Sequence, residues 1–373
     1  MKILQVVTLA SPDASYGGPF RVALNQVREL RARGHDVTLI AGALGYDTLP
    51  TQIDGVAVSL FPARQVIPHV GFAGIASRPM RTWLRRAVVD FDVVHVHFAR
   101  DLIALPAARI AGRAGVPLVV QPHGMVDQSA RATAHLIDAV ATRRALRDAS
   151  RVCYLTDVER ASLEAVARRQ LKFTRVINGV PIQSVVAREG STGQVRAVFM
   201  GRLAARKRPE LFASAIVSVA GAGLDIHGLI VGPDEGMGAR VDELVRAHPE
   251  TLSRGQAVGF DQTTDVLAAS DIFVLPSRAE PFPMAALEAL SVGVPVVVAA
   301  DCGIAASVTS AGAGIVFDGT LESLVEAITS LATEPERRQA MSQAAGRLAR
   351  AEYGMGTVAA TLEQIYSTVK ATL

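Results

Sequence analysis

The chain is short of cysteine, of aromatic residues and of excess charge, and each shortage excludes a class of protein. Its 373 residues contain two cysteines, Cys153 and Cys302, which are far apart and form no CxxC motif. Neither a disulfide framework nor a structural zinc site is therefore predicted, and a reducing cytoplasm is the natural compartment. Aromatic residues make up 5% of the chain and the net charge is +3. This composition fits small anionic ligands or a membrane surface and does not indicate nucleic acid as a partner.

Long hydrophobic runs are also missing. No apolar run reaches the roughly 18 residues that a membrane-spanning helix needs. The apolar run at residues 3–9 is short and is followed by a Gly-Gly pair and an amphipathic helix. It therefore predicts a first buried strand and not a signal peptide. We expect a cytoplasmic protein whose contact with the inner face of the plasma membrane, where it has one, is peripheral.

What the chain does have is a regular alternation of strand and helix patterns. Half of its residues are hydrophobic, which is enough for two cores at this length. Continuous apolar strands joined by amphipathic helices predict parallel sheets covered on both faces. We expect an α/β protein with two Rossmann-like, doubly wound domains that face a central cleft. The apolar runs behind this prediction are KILQVVTL, HDVTLIAG, DVVHVHF, VPLVVQPHG and RVCYL, then VRAVFMG, DIHGLIVG, GQAVGF, DIFVLP, VPVVVA and AGIVF.

One polar, Gly- and Ser-containing segment interrupts this alternation and predicts an interdomain linker at residues 181–194. The N-terminal domain then covers residues 1–180 and the C-terminal domain residues 195–353, with a closing helical segment at 354–373. Ligands of open parallel sheets bind outside the carboxyl ends of the strands. Candidate site residues are therefore expected directly after the strands.

A basic turn follows the strand VRAVFM. Gly201 allows close backbone approach, and Arg202 and Lys207 supply two cations that suit a diphosphate, one as a planar fork and one as a point charge. The alternative is that both are solvated surface residues, since the chain has 38 basic residues. Only four of these are lysines, which makes Lys207 at this turn more informative than its neighbours.

The stretch SRAEPFPMAALEALSVGVPVVV follows the strand DIFVLP. Its prolines predict a turn, and a helix is predicted to begin near Met284 with free N–H groups and a positive dipole end. Glu288 lies one turn inside this helix and suits a ribose diol. Glu280 lies before the turn and suits hydroxyls of a hexose. The alternative is an accidental spacing of two glutamates on a surface helix.

The N-terminal half offers weaker candidates. His123 follows the strand VPLVVQ and could bind a sugar hydroxyl, although a lone histidine is as often structural. Gly17 and Gly18 open the first helix and allow amides to approach a phosphate, but they form no GxGxxG motif. His97 lies near the end of DVVHVHF, where a core histidine is the stronger interpretation. The acidic pair in DFD, residues 90–92, precedes a strand and predicts a connection, so no metal site is expected.

Together these stretches resemble the retaining glycosyltransferases of family 4, which have the two-domain GT-B fold. The resemblance covers the whole chain. The basic turn and the two-glutamate stretch carry it most specifically, and the glycines and histidines add less. The matching stretches are GGPFRVALNQVRELRARGHDVTL, DVVHVHF, PHGM, INGV, GRLAARK and PSRAEPFPMAALEALSVGVPVV.

The resemblance implies roles for single residues. Arg202 and Lys207 match the family's basic pair, Glu280 and Glu288 its two glutamates, and His123 its HG loop. The family often has Gly-Phe-Gly where this chain has Pro281-Phe282-Pro283, so Met284 and Ala285 must supply the amides near the phosphate or sugar. This departure leaves the transferred sugar open.

Further positions follow from the same resemblance. The last helix is expected to return to the N-terminal domain. Residues expected near the donor are Gly17, Gly18, Gly201, Gly259, Phe282, Pro283, Met284 and Ala285. Those expected near the acceptor are His97 and Asp127.

The predicted activity is transfer of a sugar, with retention, from a UDP- or GDP-linked donor to a glycan, a lipid-linked acceptor or a small molecule. Arg202, Lys207 and the helix N-terminus would stabilise the departing diphosphate in place of a metal, so no cofactor is expected. Three alternatives stay open: a sugar-nucleotide epimerase of the same fold, an NAD-dependent oxidoreductase and a non-catalytic sugar-binding module. The missing GxGxxG argues against the oxidoreductase. Bacterial cell-envelope polysaccharide synthesis is the expected setting.

A membrane contact is a separate hypothesis. The stretch RPMRTWLRRAVVDF places Arg78, Arg81, Arg85 and Arg86 around Trp83 in a predicted helix. Such a helix could lie on an anionic leaflet and meet a lipid-linked acceptor. An ordinary amphipathic helix that covers the sheet is the interpretation that the pattern favours.

Overall fold

The structure, a computed structural model, describes residues 1–12, 17–129, 132–182, 193–259 and 262–372. The chain divides into two compact units, an N-terminal unit of Met1–Gly179 with Met355–Leu373 and a C-terminal unit of Val180–Gly354. Each unit contains one large parallel sheet with helices on it. The predicted α/β class with two doubly wound domains is therefore confirmed. Most of the predicted linker, residues 183–192, lies outside the described residues.

The N-terminal unit is built on a seven-stranded sheet. Its strand order is β11-β10-β9-β8-β1-β2-β5, and every neighbouring pair is parallel. The strands are β1 (Lys2–Ala10), β2 (Asp36–Ala43), β3 (Gln52–Ile53), β4 (Val56–Ala57), β5 (Ser59–Pro62), β6 (Arg64–Gln65), β7 (Ile75–Ala76), β8 (Val93–His97), β9 (Leu118–Gln121), β10 (Arg151–Tyr154) and β11 (Phe173–Arg175). The helices are α1 (Gly17–Ala32), α2 (Arg78–Ala87), α3 (Ala104–Ala114), α4 (Ala132–Ile137), α5 (Arg143–Asp148) and α6 (Asp157–Ala167).

The core of this unit lies between the sheet and its helices. All five residues of β8 are buried, and so are eight of the nine in β1. Central parallel strands covered on both faces take this continuous apolar pattern. The strand order reverses between β1 and β8, so their carboxyl ends flank a crevice of the kind where ligands bind in such sheets.

Helix α2 covers this core with its apolar side. Met80 and Leu84 are buried, and the indole of Trp83 packs at 5.7 Å from the ring of Phe61 and 6.3 Å from that of Phe91. The tryptophan of the proposed membrane helix is therefore engaged in the unit's own packing. Among the described residues, none of the helices combines the length and apolarity needed to cross a bilayer.

The C-terminal unit is built on a six-stranded sheet of order β14-β13-β12-β15-β16-β17, again with parallel neighbours. Numbered within the unit, this is 3-2-1-4-5-6, the order typical of dinucleotide-binding folds. Its elements are β12 (Val195–Met200), α7 (Pro209–Gly221), β13 (Ile226–Val231), α8 (Gly238–Ala247), β14 (Leu252–Gly255), α9 (Thr263–Ala268), β15 (Ile272–Leu275), α10 (Met284–Ser291), β16 (Val296–Ala299), α11 (Ala305–Ala311), β17 (Gly314–Phe317), α12 (Leu321–Thr333) and α13 (Pro335–Glu352).

One predicted strand was misplaced. The run GQAVGF was expected to be a strand, but the edge strand β14 is Leu252–Gly255, immediately before it. Leu252 supplies the buried side chain of this strand, whereas Gln256 and Ala257 are exposed. A single well-buried leucine that pairs with Gly228 decides the register, and the apolar pattern of the following loop misled the prediction.

The final helix, α14 (Met355–Ala371), belongs to the N-terminal unit. The hydroxyl of Tyr366 lies 2.6 Å from His95 Nδ1 inside the core. On the surface, Glu363 lies 2.8 Å from both Arg33 and His35, and Lys370 lies 3.0 Å from Asp92. A buried polar contact and three salt-bridge contacts thus attach this helix to the sheet and to the end of α1.

We expect Glu363→Gln to loosen α14 in a pH-dependent way. Hydrogen bonds from Arg33 and His35 lower the pKa of Glu363 from 4.5 to about 2, so the carboxylate stabilises the helix above pH 4.5 and loses this effect as the pH falls toward 2. Solvent screening keeps the contribution to about 1 kcal/mol. Hydrogen exchange of the α14 amides should be faster in the variant at pH 7, and the difference from the parent should shrink as the pH falls from 4.5 toward 2. Equal exchange at pH 7 would contradict the attachment.

Candidate active site

The reversal of strand order in the C-terminal unit brings two loops together. Strands β12 and β15 are neighbours, paired through Ala197 with Ile272 and Val198 with Phe273. The loop after β12 carries the basic turn, and the loop after β15 carries the first glutamate. The amide of Arg278 donates to the carbonyl of Arg206 at 3.0 Å, which ties one loop to the other. The topology itself therefore places the two sequence motifs side by side.

A three-residue ion cluster lies where these loops meet. Lys207 Nζ is 2.5 Å and Arg206 Nη1 is 2.9 Å from the same oxygen, Oε2, of Glu280. The side chains of Lys207 and Glu280 are only 13% and 11% exposed, while that of Arg206 is 45% exposed. We call Arg206, Lys207 and Glu280 the ion cluster. It holds two positive charges and one negative charge, so a net positive charge faces the strand ends.

Burial and charge act against each other in this cluster. Burial lowers the pKa of Lys207, an effect that Glu280 opposes and that Arg206 and Arg202 reinforce. Burial would raise the pKa of Glu280, but the two cations outweigh it and the net shift is downward. A buried carboxylate stays ionised under such conditions because its partners repay the cost of desolvation.

The loop that carries Glu280 is fixed by its backbone. Ala279 has a φ of 45°, and its amide donates to Asp301 Oδ2 at 2.7 Å. The amide of Gly303 donates to the carbonyl of Glu280 at 2.9 Å. A Cβ at position 303 would lie 1.8 Å from the carbonyl oxygen of Pro281, so only glycine allows this approach. The carboxylate is thus held by a strained but well-anchored turn.

Helix α10 begins at Met284, as predicted, with Pro283 as its N-cap. Among the described residues no side chain caps this end and its first turn holds no acidic residue. The first N–H groups of a helix have no partner within it, which leaves those of Met284 and Ala285, both half-buried, suited to bind an anion. Glu288 lies one turn inside and is 8% exposed.

Arg202, the other predicted cation, lies apart from the ion cluster's carboxylate. Its Nη1 is 2.7 Å from Glu235 Oε1 and 2.9 Å from Oε2, with 41% of the side chain exposed. Glu235 belongs to the turn after β13, whose Gly232 packs against the carbonyl of Gly201 so closely that a Cβ would lie 1.9 Å from it. The predicted Gly201 therefore lies in a backbone contact that also positions the Arg202 pair.

Phe282 and Gly259, both predicted to lie near the sugar donor, contact other residues of the C-terminal unit. The ring of Phe282 is 7% exposed and meets Tyr353 edge-on, with centroids 5.7 Å apart. This packing orients the loop between Glu280 and Met284 and leaves the ring no open face for a nucleobase. The carbonyl of Gly259 accepts from Gln262 N and Thr263 Oγ1, each at 3.2 Å, and so caps the start of α9.

In the N-terminal unit, His123 follows β9 in a left-handed turn, with a φ of 54°. Its Nε2 lies 2.7 Å from His97 Nδ1, and the two rings stack at 5.0 Å. The rings of His95 and His97 also stack, at 4.9 Å. The next residue, Gly124, donates its amide to Glu159, a buried carboxylate that also accepts from the amide of Leu155. A three-imidazole stack and a buried glutamate therefore support this loop.

These contacts correct the role expected for His97. It is fully buried, and its Nε2 lies 3.2 Å from Gln5 Oε1 while Nδ1 meets His123. Both ring nitrogens are used inside the unit, so direct contact with an acceptor is not supported and His97 supports His123 instead. Burial lowers the pKa of His97 well below 6.5 and that of His123 to about 4. Both imidazoles are therefore neutral at pH 7.

The other N-terminal candidates are scattered. Asp127 is 69% exposed and pairs with Arg100 at 3.2 Å. Helix α1 begins at Gly17, and a Cβ at Gly18 would meet open space. Residues 13–16 before them lie outside the described part of the chain. Asp92 accepts from the amide of Lys2 at 2.8 Å, which fits the predicted connection. In the described ranges no three His, Cys, Asp or Glu side chains are grouped to hold a metal ion.

Sequence reasoning missed three residues of this geometry. Arg206 joins Glu280, Asp301 anchors Ala279, and Glu159 holds Gly124. Arg206 adjoins Lys207, and this adjacency was the available signal. Asp301 lies two residues after the end of the strand VPVVVA, in the region where functional groups were sought elsewhere. Glu159 closes a Thr-x-x-Glu sequence at the start of α6, where Thr156 accepts from its amide, and this capping-box pattern was the available signal. Its contact with Gly124, 35 residues away, had none.

Comparison with known proteins decides the family. A family model for glycosyl transferases group 1 matches residues 186–347, and one for a glycosyl transferase 4-like domain matches residues 17–179. The chain belongs to the family 4-type glycosyltransferases. It is 27% identical to D-inositol 3-phosphate glycosyltransferase 1 of Catenulispora acidiphila, over 91% of this chain and 89% of that protein. It is 25% identical to the GDP-mannose-dependent alpha-(1-6)-phosphatidylinositol dimannoside mannosyltransferase of Mycobacterium tuberculosis, over 91% and 90% of the two chains.

Solved structures agree on the fold of this glycosyltransferase. HepE of Anabaena in complex with UDP and glucose superposes with a TM-score of 0.75 at 17% identity, over 98% of this chain and 99% of that one. Sucrose-phosphate synthase of Thermosynechococcus elongatus superposes with a TM-score of 0.73 at 16% identity, over 99% and 100%. The GT-B prediction is thus confirmed.

We expect Gly303→Ala to destabilise the glycosyltransferase because its Cβ would collide with the Pro281 carbonyl. A clash with fixed backbone should cost about 2–3 kcal/mol, which lowers the melting temperature by roughly 4–10 °C. Gly221→Ala, at the end of α7 with open space around its Cβ, is the matched control and should leave the melting temperature unchanged or raised. Equal melting curves for the two variants would show that the loop does not depend on this contact.

Proposed function

We propose that this glycosyltransferase moves a sugar, with retention at the anomeric carbon, from a UDP- or GDP-linked donor to a hydroxyl group. The acceptor is a glycan, a lipid-linked molecule or a small molecule, and no metal takes part. The observation that carries the proposal is the convergence of Lys207, Arg206 and the first amides of α10 at the strand ends of the C-terminal unit. Positive charge at a switch point suits a diphosphate.

The donor's diphosphate lies, in this proposal, between the basic turn and the N-terminus of α10. Lys207 and Arg202 neutralise its charge, and the amides of Met284 and Ala285 bind its oxygens. When the cations turn to the diphosphate, the carboxylate of Glu280 becomes available to accept hydrogen bonds from hydroxyls of the transferred sugar. Glu288 accepts those of the ribose. His123, held by His97, contributes a neutral imidazole from the N-terminal unit.

The reaction breaks the bond between the anomeric carbon and the diphosphate oxygen and forms one from the same carbon to the acceptor oxygen. The acceptor approaches on the face that the diphosphate leaves, and its proton passes to the departing phosphate oxygen. Negative charge develops on the diphosphate in the transition state, where Lys207 and the helix end are already placed. Such preorganised electrostatics is the term that most lowers barriers of this kind.

The names of the relatives guide the choice of acceptor. One acts on D-inositol 3-phosphate and the other on a phosphatidylinositol dimannoside, so a phosphorylated polyol and a lipid-linked glycan are the acceptor classes to test first. GDP-mannose is the donor named for the second relative. We place the reaction in the bacterial cytoplasm, in the assembly of cell-envelope polysaccharide or glycolipid.

A panel of UDP-, GDP- and dTDP-sugars tests the donor class. A ligand that binds only the native form at 100 times its Kd stabilises that form by about 2.7 kcal/mol, so the matching donor should raise the melting temperature by several degrees. Turnover of a nucleotide sugar without an acceptor would favour an epimerase, and binding with no turnover under any acceptor would favour a sugar-binding module. Proton NMR of the product linkage then reads retention directly.

We expect Lys207→Ala to reduce kcat by about 100- to 1,000-fold with a smaller change in KM, since the ammonium stabilises charge that appears only in the transition state. Arg347→Ala is the matched control, because it removes an exposed cation of α13 from the same unit and should leave both constants unchanged. A Lys207→Ala enzyme with normal kcat and a raised KM would assign this lysine to donor binding alone.

A further inference from the structure

An arginine-lined cavity lies on the N-terminal unit, between α5 and the C-terminal end of α6. Its volume is about 470 Å³, and its charged lining is Arg143, Arg144, Arg147, Arg168 and Arg169 with one carboxylate, Asp148. We call this the arginine surface. Like charges gathered so closely repel one another, so the arrangement needs partners of opposite charge.

The fold supplies only part of that opposite charge. Arg143 Nε donates to the carbonyl of Val166 at 3.1 Å, and Arg147 donates to that of Ala167 at 2.9 and 2.7 Å. These carbonyls form the negative end of α6, so two of the five cations act as a helix cap. Arg144 pairs with Asp148 at 3.2 Å, one turn along the same helix. Arg168 and Arg169 are exposed beyond the cap.

An apolar surface continues from these arginines along the same helical face. Helix α4, a π-helical turn at Asp138–Thr142 and α5 follow one another without a break. On their outer face Leu136 is 67% and Val140 is 72% exposed, while Asp138 and Thr142 are buried on the inner face. Two large aliphatic side chains thus point to solvent beside a group of arginines. Among the described residues nothing covers these two side chains.

The other arginine-rich helix differs in this respect. Helix α2 exposes Arg81, Arg85 and Arg86, but its apolar residues pack into the unit, as Trp83 does against Phe61. Within Arg78–Ala87 the large apolar side chains are buried or half-buried, and the exposed valine beyond its end, Val89, is single. A partner that binds through both charge and apolar contact is therefore expected to prefer the arginine surface to α2.

We propose that the arginine surface, with Leu136 and Val140, docks the enzyme on an anionic phospholipid bilayer. Phosphate headgroups complement the arginines, and the two aliphatic side chains enter the boundary between headgroups and acyl chains. A bilayer makes favourable contacts with both the arginines and the apolar side chains. A nucleic acid backbone would bind the arginines alone. Docking itself does not depend on the proposed function. Only its consequence does, since docking would bring the enzyme to a lipid-linked acceptor.

The test measures binding of the full-length protein to sedimented vesicles, without any sugar donor. We expect binding to vesicles of phosphatidylcholine with phosphatidylglycerol, weak binding to phosphatidylcholine alone, and loss of binding as salt rises. Each arginine near such a surface contributes about a fivefold change in partition. The triple variant Arg144→Gln, Arg168→Gln, Arg169→Gln should therefore bind roughly 100-fold more weakly.

A matched control separates this surface from net charge. The variant Arg81→Gln, Arg85→Gln, Arg86→Gln loses the same three charges from α2 and should bind nearly as the parent does. Replacement of Leu136 and Val140 by serine leaves the charge unchanged and should weaken vesicle binding in both low and high salt. Circular dichroism and melting curves check that each variant is folded, which the exposure of the changed residues favours.

Three results would overturn the proposal. The first is equal loss of binding in the two arginine variants, which would indicate non-specific attraction. The second is binding of free inorganic phosphate or of a nucleic acid duplex with no binding to vesicles, which would assign the cavity to another ligand. The third is unchanged binding in the triple variant. Failure of sugar transfer in a separate assay would leave the vesicle result standing, so the two proposals can fail independently.

Discussion

The buried contact between Lys207 and Glu280 is the interaction on which the candidate active site depends. Two charges that are nearly out of water are costly unless each has its partner, and here the partners come from loops 73 residues apart in sequence. The contact is possible only because β12 and β15 are neighbours at the point where the strand order reverses. The pairing of β12 with β15, the two opposite charges and the anchored loops are therefore all needed together. Without any one of them, Lys207 or Glu280 would lose its partner or become exposed to water.

The N-terminal unit meets an equivalent requirement with neutral groups. Gln5 donates to Gln26 at 3.2 Å, and Gln26 donates to Gln121 at 3.0 Å. The Oε1 of Gln5 lies 3.2 Å from His97 Nε2, and the Nδ1 of His97 lies 2.7 Å from His123 Nε2. A chain of amides and imidazoles thus runs below the strand ends, where an ion pair would be costlier. Burial keeps the imidazoles neutral, so the imidazoles themselves bring polarity without charge to the loop of His123.

The sequence allowed prediction of the fold class, the start of α10 and the position of both motifs, because each is written in a local pattern. Pro283 and the apolar spacing behind it mark the helix start at Met284 within the sequence itself. The pair of Arg206 with Glu280 could not be predicted, since it depends on which strands become neighbours. The contact of His97 with His123 was equally hidden, because a strand pattern does not tell which loop residue meets a core side chain. The edge strand β14 was misplaced because a single leucine outweighs a longer apolar loop.

The prolines of the donor loop fit this dependence on anchoring. A glycine at position 283 would give the loop one more N–H donor and more conformational freedom. Pro283 holds φ at −77° and removes that donor. The lost N–H donor matters less when the amides of Met284 and Ala285 are already held in position. The contact of Asp301 with Ala279 and that of Gly303 with Glu280 fix the loop before them. The chain therefore holds this loop more rigidly than a Gly-Phe-Gly sequence would, with fewer amides but in fixed positions. Rigidity of this kind favours electrostatic stabilisation, because dipoles that are already oriented need no reorganisation when charge develops.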